Sequence, residues 1–301
     1  MNMQSRRSFL GASVAALGAV CVSSPFQSLA ADSLAKRSLK KGVMLDTVGL
    51  KVGLVEKLKA IKEAGFDGVE PSSHMNQDEV VKGLESSGLR CGSVCCSTHW
   101  DKPVTDPNPA VREAGVAGLR QALKDAKRYG AVSVLFVPGV VSKEVSYDDA
   151  YKRAREAILQ VVPVAEELGV KIALENVWNN FLLSPLEAAR FVDEFRSPMV
   201  GWHFDCGNIV NYSWPEQWVR ILGKRIVTLH IKEFSRQKGD KEGKWAGFGV
   251  GLLEGDNDWP AIMKALDEIG FAGWAISEQG GVGSVEELKN LSERMNRIFA
   301  S

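Results

Sequence analysis

Leu168-Gly169-Val170-Lys171-Ile172-Ala173-Leu174-Glu175-Asn176 holds one unit of a pattern that runs through the chain. Before it, Ala154, Ile158, Val161 and Ala165 recur at helical spacing, and the segment stops at a glycine. Glycine accepts the left-handed conformation that ends a helix and turns the backbone. A short apolar run follows and finishes on a carboxylate. Outward from this unit, the same stop recurs at Ala64-Gly65-Phe66, Tyr129-Gly130 and Ile269-Gly270-Phe271. The candidate strands are Gly42–Leu45, Asp67–Pro71, Arg90–Cys96, Val132–Val137, Val170–Glu175, Met199–Phe204, Ile226–Lys232 and Gly273–Glu278. Eight β-then-α units in about 260 residues, without a break in composition, predict a single (β/α)₈ TIM barrel over residues 41–301. A doubly wound open sheet would bring a glycine-rich phosphate turn after the first strand, and Leu45-Asp46-Thr47-Val48-Gly49 is not one. The longest stretch without a period, Phe234 to Asp258, follows strand seven. It carries Gly239, Gly243, Gly247, Gly249, Gly251 and Gly255 and is read as a mobile lid on the catalytic face.

The first residues stand outside that pattern. Ser5-Arg6-Arg7-Ser8-Phe9-Leu10 precedes an uncharged run rich in Ala, Gly and Val, and Ser28-Leu29-Ala30 offers a small-x-small cleavage site. This reads as a twin-arginine export signal over residues 1–30, with 31–40 as a linker. The export machinery that reads twin arginines is then a partner, and the destination is the periplasm. The apolar run is too short to span a bilayer comfortably, so no stable membrane insertion is expected after cleavage. An uncleaved anchor is the alternative. Cys21 lacks the small residue expected next to a lipidated cysteine.

Lys+Arg and Asp+Glu are both 37, so the formal net charge is zero. A nucleic-acid partner, which calls for a basic surface, is excluded on that ground. Cys91, Cys95, Cys96 and Cys206 lie beyond the leader, three of them in one apolar run, and are read as buried free thiols.

The chemistry lies at strand ends. Ala173-Leu174-Glu175-Asn176 closes strand five, and Trp202-His203-Phe204-Asp205-Cys206-Gly207-Asn208 closes strand six. Leu229-His230-Ile231-Lys232-Glu233 closes strand seven, and Ile276-Ser277-Glu278-Gln279 closes strand eight. Strand side chains alternate between faces, and the apolar Ile172, Leu174, Val227, Leu229 and Ile231 take the outward positions. That phase brings Glu175, Asp205, His230 and Glu278 to the barrel mouth. Three carboxylates so close repel unless a cation offsets them. Oxygen ligands with one imidazole suit Mn²⁺, Co²⁺, Mg²⁺ or Zn²⁺.

These segments, with Phe248-Gly249-x-Gly251 and Asp258-Trp259, resemble the sugar isomerase/epimerase-type, or xylose isomerase-like, TIM barrels. The resemblance runs from about Lys40 to the C-terminal helix. It implies that Glu175, Asp205, His230 and Glu278 hold one divalent metal ion, and that Glu175 and Glu278 are the acid/base pair. A vicinal keto-alcohol would chelate the metal, which acidifies the intervening C–H and stabilises an enediolate. Proton return to the opposite face epimerises, return to the neighbouring carbon isomerises, and loss of a β-hydroxyl dehydrates.

Three positions bear on the substrate. Where the ketose 3-epimerases carry a substrate-binding Glu, this chain has Phe181, and where they carry a substrate-binding His it has Asn208. Arg236 matches their substrate-binding Arg. Other candidates come from the strand ends alone. Glu70 is open to two readings, a partner for a substrate hydroxyl or a structural salt bridge. His99 and Trp100 are placed to hydrogen-bond and stack on a sugar ring. Lys232 is read as binding a substrate oxygen or pairing with an acidic ligand, and His203 as a support for Asp205 or a packed core histidine. The leading expectation is a sugar isomerase or epimerase acting on a small carbohydrate. A lyase or dehydratase on a keto-inositol or 3-keto-sugar and a non-catalytic exported sugar-binding protein are the alternatives. A zinc-dependent DNA-repair endonuclease is disfavoured, because this chain has only four His.

Overall fold

Short buried strands, paired in parallel, set the architecture. The computed structural model describes residues 37–301. The expected export signal, its cleavage point and most of the expected linker lie outside the described residues. The strands are β1 (Leu39–Met44), β2 (Gly68–Glu70), β3 (Arg90–Cys91), β4 (Val94–Cys95), β5 (Ser133–Phe136), β6 (Lys171–Glu175), β7 (Val200–Asp205), β8 (Ile226–Ile231) and β9 (Gly273–Ser277). Their order in the sheet is β3-β2-β1-β9-β8-β7-β6-β5-β4, and every pair is parallel. β3 and β4 are two halves of the third barrel strand, one pairing with β2 and the other with β5. An isolated parallel bridge, Ser72 to Cys95, joins the end of the second strand to β4 and closes the ring. The chain therefore forms the expected eight-stranded α/β barrel, with helices between successive strands.

Each expected strand is present, with two corrections. β1 begins at Leu39, inside the expected linker, because Leu39 pairs with Gly273 of β9. The third strand is interrupted at Gly92-Ser93, where a continuous run was expected. The interior explains the interruption. Trp274 crosses the barrel from β9 and lies against Gly92 and Gly68, where a Cβ would sit 2.7 Å and 2.5 Å from the indole. No side chain fits at either place, so the wall is thinned where the indole arrives.

The helices stop where glycine allows it. The helix Pro109–Tyr129 ends on Gly130 at φ 71°, and the helix Val162–Leu168 ends on Gly169 at φ 66°. Val43, Val134, Ile172, Leu174, Leu229 and Ile231 are buried between sheet and helices. Among the described residues, no helix is long and apolar enough to cross a membrane. Cys91, Cys95, Cys96 and Cys206 are buried free thiols, as expected.

The segment after β8 is more structured than its glycines suggested. It holds a helix, Arg236–Glu242, and a 3₁₀ turn, Lys244–Phe248. Glu233, wholly buried, gathers it. Its carboxylate accepts from the backbone N–H of Leu253 and Asn257 and from the Trp259 indole at 2.8–3.1 Å. Gln279 adds a bond from its side-chain amide to the Val250 carbonyl.

Candidate metal centre and active site

Register delivers the acidic groups to one place. Asp205 is level with His230 on the neighbouring strand, and Glu175 with His203. His230 is level with Ile276, so Glu278, two positions on, returns to the same face. Nδ1 of His230 lies 3.1 Å from Glu175 Oε1, 3.1 Å from Glu278 Oε2 and 3.7 Å from Asp205 Oδ2. One donor atom from each of Glu175, Asp205, His230 and Glu278 falls within 4.8 Å of the others. The expected quartet is thus assembled. Asp205 and His230 are sealed from solvent, whereas the Glu278 side chain is 24% exposed, so the centre opens on the Glu278 side.

Asp205 divides its carboxylate. Oδ1 accepts from the Asn208 backbone N–H at 2.7 Å and caps the short helix Cys206–Val210. Oδ2 is buried among the four donors with no hydrogen-bond partner. Asn176 locks the backbone at that point. Its side-chain amide donates to the Asp205 carbonyl, and its oxygen accepts from the Asp205 N–H and the Trp202 indole. A buried anionic oxygen without a hydrogen bond is costly unless cationic groups face it, and here Lys232 Nζ at 3.8 Å and His230 Nδ1 at 3.7 Å do so at ion-pair distance. Three carboxylates and one imidazole fit a hard or borderline divalent cation.

Protonation follows from the crowding. Burial alone would lower the His230 pKa, but Glu70, Glu278, Asp205 and Glu175 together lift it well above the usual imidazole value. Burial raises Glu175 to about 7, against the pull of His230. Glu278 goes the other way. Burial favours its neutral form, yet Lys232 and His230 hold it well below the ordinary carboxylate range. Asp205 is raised, chiefly by burial, with Lys232 opposing. Lys232 Nζ lies 2.8 Å from Glu278 Oε2 and 3.8 Å from Asp205 Oδ2.

The remaining expected residues divide. His99 is buried, and its Nδ1 accepts from the Val137 backbone N–H at 3.3 Å. Burial lowers its pKa to about 4, so the ring is neutral and its proton sits on Nε2, a fixed donor. Trp100 stands edge-on to His99, ring centroids 5.7 Å apart, and is half exposed. Lys232 takes the second of its two readings and pairs with Glu278. Glu70 takes the second of its two readings: it is wholly buried, and Oε1 pairs with His230 Nε2 at 3.1 Å. His203 takes its second reading, a packed core histidine: it is wholly buried and meets the His230 ring at 4.1 Å between centroids and Thr228 Oγ1 at 2.7 Å.

Asn208 and Arg236 both bond to backbone carbonyls. Asn208 Nδ2 donates to the Asn176 carbonyl, bracing β6 against the short helix. Arg236 Nε and Nη2 donate to the Val210 and Ser213 carbonyls, which ties the helix Arg236–Glu242 to the preceding loop. Phe181 is buried among Tyr147, Tyr151 and Phe191. Asn176 and Glu233 went unassigned in the sequence, although each sits directly beside a strand-end charge. A wall of aromatic rings flanks the mouth. Lys232 Nζ lies 4.6 Å from the Phe248 centroid, Phe248 packs on Trp178 at 4.9 Å, and Trp178 on the exposed Trp245 at 4.6 Å.

The fold recurs in known proteins. Residues 58–298 match the family described as xylose isomerase-like TIM barrel. An L-ribulose-5-phosphate 3-epimerase from Escherichia coli O1:K1 is 24% identical over 235 residues, spanning 73% of this chain and 79% of the relative. Among solved structures, an L-ribulose 3-epimerase superposes with TM-score 0.68 at 21% identity, covering 86% of both chains. The 3-keto-D-glucoside 4-epimerase YcjR of E. coli gives 0.71 at 17% identity, covering 88% of this chain and 100% of its own. The IolI protein, solved with a zinc atom, gives 0.71 at 17%, covering 87% of this chain and 98% of its own.

Proposed function

The chain belongs to the xylose isomerase-like TIM-barrel family, and from that premise we propose that it is a divalent-metal-dependent sugar isomerase or epimerase acting on a keto-sugar or related polyol. The observation that carries the proposal is the convergence, from four strand ends, of one donor atom each from Glu175, Asp205, His230 and Glu278 within 4.8 Å of one another. Glu175, Asp205, His230 and Glu278 would hold the ion. When bound, a divalent cation supplies Lewis acidity that acidifies the C–H between the ketone and hydroxyl of a chelated substrate.

The residues do the rest. Lys232 Nζ, 2.8 Å from Glu278 Oε2, keeps that carboxylate ionised, which suits it to remove the proton. Glu175, the other carboxylate of the pair, is then the group that returns one. His99 presents its Nε2–H to a substrate oxygen, and Trp100 offers a face for the ring. Relatives named for ribulose phosphate and 3-keto-glucoside epimerisation support the substrate class. The paired arginines of the leader support export to the periplasm. Phosphorylated sugars are rare there, so an unphosphorylated substrate is part of the proposal.

The test joins metal content to isotope exchange. The purified protein should carry a divalent ion and exchange a carbon-bound proton of a ketose with D₂O. The Glu175→Gln, Glu278→Gln double variant should slow exchange by about 10³-fold or more. The product then separates epimerase, isomerase and lyase. A protein that binds no ion and exchanges no proton with any ketose overturns the proposal and leaves a sugar-binding role.

A further inference from the structure

We propose that Glu70 is a positioning residue that sets the orientation and proton placement of His230 from behind, and thereby the strength of the cation site. The inference rests on the metal-dependent reading above.

Glu70 closes β2 and His230 lies on β8, with β1 and β9 between them in the sheet, so their contact spans the barrel interior. The two ring nitrogens face different neighbours. Nδ1 meets Glu175 and Glu278 at 3.1 Å, whereas Nε2 meets Glu70 Oε1 at 3.1 Å. A cation among Glu175, Asp205 and Glu278 takes the Nδ1 lone pair, so the ring proton must reside on Nε2. Glu70 is the acceptor waiting there. An acceptor at that place selects the tautomer, fixes the ring plane and makes Nδ1 a stronger donor to the metal.

The surroundings leave Glu70 no other evident task. A buried carboxylate kept for stability is ordinarily matched by Arg or Lys. Among the described residues, the only ion-pair partner of Glu70 is His230. Its second oxygen, Oε2, is buried without a hydrogen-bond partner, as is Nε2 of His203. His203 completes the clamp. It stands edge-on to the His230 ring at an interplanar angle of 77° and is itself held by Thr228 Oγ1. The imidazole is therefore held at its edge by Glu70 and on its face by His203, with Nδ1 left for the ion.

The experiment measures Co²⁺ and Zn²⁺ affinity by chelator competition for the wild type, Glu70→Gln and Glu70→Ala. Glu70→Gln keeps an acceptor for Nε2–H and removes the charge, so affinity should fall about 10-fold; Glu70→Ala removes both, and the fall should approach 100-fold. Nitrogen-15 spectra of the zinc-loaded wild type should show the His230 proton on Nε2, a readout that needs no variant to fold. Unchanged affinity in both variants, or a His230 proton on Nδ1, overturns the inference and leaves the proposed function standing. Two ions per wild-type chain, one of them lost in Glu70→Gln, also overturns it, because Glu70 would then be a ligand of its own site with His203. A wild type that binds no ion removes the proposed function and this inference together.

Discussion

The two halves of the barrel are built differently. β6 to β9 run five or six residues each, pair in parallel with one register shift at Trp202-His203, and carry or immediately precede all four candidate ligands. β2, β3 and β4 run two or three residues, and the third strand breaks at Gly92-Ser93. The longer ladder fixes the spacing of neighbouring strand ends, which a multi-ligand centre requires. The short half is organised around one indole instead. It contributes single groups, Glu70 and His99, that reach the centre singly. Precision at a metal site thus tracks backbone pairing, and the looser half supplies the residues that steer or contact what binds.

That contrast can be broken most severely at Trp274, which joins the halves. Trp274→Ala should destabilise the fold by about 4 kcal/mol, because the glycines at 68 and 92 have no side chain to fill the void. Urea unfolding would show it. A loss under 1 kcal/mol would mean that the short strands hold without their central packing.

His99 sharpens the contrast through pH. Its folded pKa of about 4 lies below the usual 6.5, so the unfolded chain takes up this proton first as pH falls. Stability is therefore lost between about pH 6.5 and pH 4, by roughly 3 kcal/mol in total, and is regained on raising the pH. Glu, Asp and other histidines titrate nearby, so the measurement compares urea midpoints of the wild type and His99→Gln across that window. The variant should show the shallower dependence. Equal slopes would mean His99 is not held neutral by the fold.

The smallest effect is expected at the ion pair just before β8. Arg225 grips Asp193 through two nitrogens at 2.6–2.7 Å, yet both side chains are substantially exposed. Arg225→Ala should cost less than about 1 kcal/mol in the same unfolding experiment. A larger loss would move part of the stability of the long half from its ladder to its rim.

Local signals account for what was readable in advance. Strand positions followed from apolar runs and glycine stops, and the ligands followed from alternation, since Glu175 and His230 each continue a clean inward phase. What escaped depends on partners distant in sequence. Glu70 meets a histidine 160 positions away, and nothing near Glu70 marks that. Resemblance implies a substrate role for Arg236, but its bonds to the carbonyls of Val210 and Ser213 leave no trace in the sequence because they form only once the chain is folded. The break in the third strand requires knowing that Trp274 arrives from the far side. The order after β8 comes from Glu233, whose reach to Leu253, Asn257 and Trp259 has no periodic trace.

The split carboxylate of Asp205 has a consequence for how this centre is made. One oxygen starts the helix Cys206–Val210 and the other faces the three remaining donors. A single rotation cannot satisfy one task and abandon the other. The helix start and the ion's seat are therefore one switch with one setting. The seat is complete only when this turn of backbone is closed and the three other strand ends are in place. Damage that unwinds those five residues would release Asp205 from it.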